Sequence, residues 1–148
     1  MRKLSILIVL AVLLIASNAL AAGTVTQATT QIAENMYKVV FTCTGDASDG
    51  SIPDTDTTDG RINGFYSYRV IINNTTAQTD TSDDADVYIK DAGGIDLMNG
   101  QGVDQLDADT CNYVRLCRHD PISGPLTLDV NNQSQTSAVY TVTLILGK

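Results

Sequence analysis

Ala138-Val139-Tyr140-Thr141-Val142-Thr143-Leu144-Ile145-Leu146 is the stretch that decides the fold class. In an extended chain, side chains alternate between faces, so Ala138, Tyr140, Val142, Leu144 and Leu146 share one side and Val139, Thr141, Thr143 and Ile145 the other. Its β-branched content suits a pleated surface. Arg61 to Asn73 repeats the logic: Ile62, Tyr66, Tyr68, Val70 and Ile72 fall on a face to be buried, with Asn63, Ser67 and Arg69 on the wet face.

Outward from these two segments, strands are expected at Thr24 to Ile32, Met36 to Thr44, Asp86 to Lys90, Cys111 to Cys117, and Leu126 to Val130. Turn chemistry separates them. Gly45 to Gly60 is rich in Asp, Ser, Thr and Gly, Asn73 to Asp84 in Asn, Thr and Asp, and Pro121 to Pro125 interrupts pairing before the next strand. No apolar stripe with helical spacing appears. About seven short strands without intervening helices predict an all-β protein, a single antiparallel β-sandwich of the jelly-roll or Ig-like kind over 22–148.

The first residues have a different logic. Arg2 and Lys3 precede an apolar run of 13 residues from Leu4 to Ala16, broken only by Ser5, which leads into Ala19-Leu20-Ala21. That order predicts a helical secretory signal peptide over 1–21, cut after Ala21, with Ala19 and Ala21 as the small residues at the cut. The run is shorter than the roughly 20 apolar residues that span a bilayer. The expectation is a secreted or periplasmic protein with no membrane association after cleavage.

Loss of Arg2 and Lys3 leaves seven basic against 17 acidic residues, a net charge of −10. Such a surface repels phosphate backbones and anionic lipid, so nucleic acid is not an expected partner. All the acids except Glu34 are Asp, a turn former and a poor helix former.

Candidate chemistry is sparse. Asp54, Asp56 and Asp59 precede Gly60 with the close carboxylate spacing that hard cations favour, a weak calcium candidate; no other cofactor is expected. Asp59 occupies the place where an EF-hand loop requires Gly, and no Glu closes the loop. Asp80, Asp83, Asp84 and Asp86 form a second acidic group without a template. Export favours a disulfide among Cys43, Cys111 and Cys117. If Cys111 to Cys117 is strand, its ends lie ~20 Å apart, so Cys43 with Cys111 or Cys117 is the expected pair. Zinc held by these cysteines and His119 would match no known module spacing. His119 is the only histidine, and there is no nucleophile elbow, phosphate loop or His-Glu-x-x-His. The chain is read as a non-enzyme. Asn73, Asn74 and Asn132 fit the glycosylation triplet.

Tyr37 to Gly50 runs from a strand into a Thr-Gly-Asp-Ala-Ser turn, and Ile62-Asn63-Gly64, Asp86 to Asp91, Gly94 to Gly102 and Pro121 to Val130 follow in order. This succession resembles small β-sandwich structural or accessory proteins of tailed bacteriophages and prophages. The resemblance implies a virion-associated or accessory structural role, with no catalytic residues to carry over. The expected function is that of an exported or virion-associated structural or surface-binding protein, with a protein partner or self-association. Two rivals stay open: an extracellular calcium- or glycan-binding module, and a self-assembling pilin-like subunit using Thr24 to Ile32 as a donor strand.

Overall fold

In a computed structural model, residues 22–74, 85–106, 111–116 and 121–148 are described. Eight strands follow in chain order: β1 (Thr24–Ala33), β2 (Met36–Thr44), β3 (Thr55–Asp56), β4 (Tyr66–Asn74), β5 (Asp86–Lys90), β6 (Cys111–Arg115), β7 (Thr127–Asn131) and β8 (Val139–Gly147). They form two antiparallel sheets, one ordered β1-β2-β8-β4-β6 and the other β3-β7-β5. The all-β expectation is met, and no α-helix occurs among the described residues. The residues expected to form a signal peptide, Ala19 and Ala21 among them, and with them Asp80, Asp83, Asp84, Cys117 and His119, lie outside the described residues.

β8 holds the middle of the larger sheet, and its alternation is the one the sequence announces. Tyr140, Val142, Leu144 and Leu146 are buried, with Val139, Thr141, Thr143 and Ile145 facing out. Its neighbour β2 follows in register, Phe41 opposite Val142 and Cys43 opposite Tyr140, so that Tyr37, Val39, Phe41 and Cys43 share the inner face. Val87, Ile89, Leu128 and Val130 from the smaller sheet join them in one hydrophobic cluster.

The reading of Arg61 to Asn73 needs correction. Gly60–Ile62 is a 3-10 turn, and the strand starts only at Tyr66. A register shift between Ser67 and Arg69 then reverses the phase. A bulge inserts one residue, and every side chain before it moves to the opposite face. Val70 and Ile72 are buried as expected, whereas Ser67 points in and Tyr68 points out. The Tyr68 ring lies over Gly147, where an added Cβ would come within 2.3 Å of it. The Gly45 to Gly60 turn region also contains β3, whose Thr55 pairs with Leu128.

The Asp bias has a local cause. Asp49 accepts a hydrogen bond from Ser51 N (2.9 Å), Asp91 from Gly93 N and Ile95 N (2.9 Å each), and Asp96 from Met98 N (2.9 Å) and Gly100 N (2.7 Å). A one-methylene carboxylate closes these Asx turns, while the longer Glu side chain does not fit the same ring. The 91–106 segment then folds back along β5. Leu97 N donates to Ile89 O (2.7 Å), Val87 N to Gly102 O (2.9 Å) and Leu106 N to Ala85 O (3.2 Å).

Candidate functional site

The three carboxylates of the calcium candidate have different surroundings. Asp59 grips the guanidinium of Arg61 through Nε at 2.9 and 3.0 Å and also caps Arg61 N, which holds it below the usual carboxylate range. Asp56 accepts from Thr127 Oγ1 at 2.6 Å. Asp54 feels partial burial first and then the charge of Asp129, which together push its carboxyl up. Asp129, only 6% exposed, is in turn ion-paired with Lys90. An ammonium therefore stands among the carboxylates of this end. No group of three or more His, Cys, Asp or Glu converges on a metal position among the described residues. Asp86, from the second acidic group, is buried and accepts from Asp104 N and Asn132 Nδ2, both at 2.9 Å. That bond engages one of the three glycosylation-triplet asparagines, and Asn73 is half-buried within β4.

The expected bond between Cys43 and Cys111 is not formed, and both carry free thiols. β2 and β6 are separated by β8 and β4, three strand spacings or ~14 Å, beyond the ~7 Å that a disulfide spans. Cys43 also faces the core while Cys111 faces solvent. Burial pushes the Cys43 thiol up to about 12, with Tyr140 acting slightly in the opposite direction. It stays protonated and offers neither a thiolate nucleophile nor a metal ligand at neutral pH.

What strand assembly does bring together is the outer face of the larger sheet. None of its five strands contains Asp or Glu, although each strand of the smaller sheet has one Asp. Lys38, Arg69 and Arg115 point outward on it, with Met36, Ile71, Ile145, Tyr68 and Tyr113 between them. Tyr68 and Tyr113 are 51% and 64% exposed, the largest values for big apolar side chains among the described residues. Register sets Arg69 directly opposite Arg115. The Arg69 guanidinium also stands 5.7 Å from the centre of the Tyr113 ring, a cation–π distance. Beside the pair, Met36, Tyr68, Leu116 and Ile145 help line a hollow of about 380 Å³.

Reasoning from the sequence missed this face. A signal existed in the acid-free strands, but it becomes visible only once the strands are sorted into two sheets and Tyr68 is turned outward by the bulge. Comparison with known proteins finds no matching family model, no similar curated protein and no similar solved structure.

Proposed function

We propose that this chain is a non-enzymatic structural or surface-binding β-sandwich protein, exported or virion-associated, that makes its contacts through the outer face of the five-stranded sheet. The two sheets stack face to face around the shared core, with the Asp-rich turns at the rims. The observation that carries the reading is the segregation of charge. In a chain of 17 acids and 9 bases, one broad sheet face holds Lys38, Arg69 and Arg115 around exposed tyrosines and lacks any carboxylate on its strands. Aromatic and Arg side chains are the residues most enriched at protein contact centres, and such a face complements an acidic, partly apolar partner surface. The resemblance to phage and prophage β-sandwich proteins supports the structural side of this reading.

The test is to express the full gene in its own host and to quantify its peptides in cytosol, envelope, medium and any virus particles. The expected result is a product beginning at Ala22 in the exported or particle fraction. A product of residues 1–148 confined to cytosol would overturn the proposal. Co-sedimentation with the envelope or particles should weaken as salt rises, and should be lost in Arg69→Glu or Tyr113→Glu with the fold retained.

A further inference from the structure

We infer that the outer edge of β1 is a pairing edge for the same edge of a second copy of this chain, the two strands running antiparallel about a twofold axis. The inference goes beyond the sheet-face reading, because it concerns the rim of the sheet and not its face.

An open strand edge is a row of unpaired N–H and C=O groups, and proteins guard such edges with short strands, charges, prolines or a covering segment. Among the described residues, three of the four sheet edges are guarded. β3 is two residues long and carries Asp56. β6 has five residues and carries Arg115. β5 is covered by the 91–106 segment through the backbone hydrogen bonds described above. β1 is the exception: ten residues, Thr-Val-Thr-Gln-Ala-Thr-Thr-Gln-Ile-Ala, without a charge or a proline, its one irregularity a register shift between Gln31 and Ala33 at its far end. Among the described residues no backbone hydrogen bond reaches its outer edge.

The occupant follows from charge and from anchoring. Two molecules of net charge −8 repel wherever acidic loops meet, and an uncharged ten-residue strand is where two copies approach with least repulsion. Lending β1 to a neighbour is disfavoured because the strand is tied down on its inner side. It pairs with β2 from Thr24 opposite Thr44 onward, and the Gln27 amide donates to Asp56 O (2.9 Å) and accepts from Thr58 N (3.2 Å). The edge is thus both open and fixed in shape, the condition for augmentation without exchange.

Paired residues must lie on the same face of the joined sheet. Thr26, Ala28 and Thr30 face outward, and Val25, Gln27 and Thr29 face inward. A twofold axis must therefore pass through a residue rather than between two, and the fullest overlap of Thr24–Ala33 places it at Ala28 or at Thr29. The result is one continuous sheet of two five-stranded halves, with the acid-free face running across both.

The experiment is sedimentation velocity over a range of concentrations, on the exported protein and on a variant with Ala28→Lys and Thr30→Lys. The wild type should dimerise, more tightly at high salt because screening removes the repulsion, and the variant should weaken dimerisation about tenfold or more. Single Ala28→Cys and Thr29→Cys variants, each with Cys111→Ser and Cys117→Ser, should yield one oxidised dimer between them. A wild type that stays monomeric at every concentration and salt, or a dimer untouched by both lysines and lacking either cross-link, would overturn the inference. Association abolished by Tyr113→Glu and weakened by salt would assign self-contact to the sheet face instead, also overturning it.

Discussion

Tyr140→Phe is expected to stabilise this protein. Tyr140 is fully buried in the central strand, and its hydroxyl finds no partner with hydrogen-bond geometry. The polar group it senses is the thiol of Cys43, its register partner on β2. A thiol donates only weakly, so most of the desolvation cost of the hydroxyl stays uncompensated. Burying an unsatisfied polar group costs about 1–3 kcal/mol, and phenylalanine keeps the ring and its packing. The net gain should be about 1 kcal/mol, a rise in Tm of about 3–5 °C for a domain of this size. Urea titration followed by circular dichroism reads the change, and an unaltered m-value assigns it to stability alone. Adding Cys43→Ala in a double-mutant cycle measures what the thiol returns to the hydroxyl. A loss of 1 kcal/mol in Tyr140→Phe would refute the reasoning, since it would mean that the hydroxyl is well bonded.

Other outcomes follow from the same coordinates. Because burial raises the Cys43 thiol from an ordinary value of 9.0 to about 12, the folded state holds a proton there that the unfolded state releases. Stability should be intact below pH 9 and fall by roughly 1.4 kcal/mol per pH unit from there toward pH 12, and Cys43→Val should flatten that slope in pH-dependent urea melts. Lys90→Met leaves the Asp129 carboxylate without its counter-ion beside Asp54. Since Lys90 is itself partly open to water, the expected loss is about 1–2 kcal/mol, read by thermal melting at pH 7. At Gly102 an added Cβ would sit 1.7 Å from Val87 O, so Gly102→Ala should lever the covering segment off β5 and speed amide exchange at Val87 and Leu97, with a loss of about 3 kcal/mol or more.

Period-two patterning made most of the strands legible. Met36–Thr44 and Asp86–Lys90 match residue for residue, and β8 shows its inward set as expected. What stayed hidden is non-local. The bulge at Tyr68 leaves no local mark, because Ser67 and Tyr68 both suit a strand, and hydrophobicity alone assigns the tyrosine inward. The Cys43 and Cys111 pairing failed for a similar reason, since two strands inserted between them come from distant parts of the chain. Asp residues were readable as turn formers. Arg61, the partner of Asp59, stands two residues away, but the surroundings of Asp54 and Asp56 depend on Lys90, Asp129 and Thr127, which lie far along the sequence.

The position of β8 governs how the molecule comes into being. Strands β2 and β4 touch each other only through it, yet it is the final strand in chain order, about a hundred residues after β2. A ribosome delivering this chain makes β2 and β4 well before β8, so the larger sheet lacks its keystone until β8 arrives and then closes through long loop closures, the slow class of folding reactions. For that interval the polypeptide remains threadable.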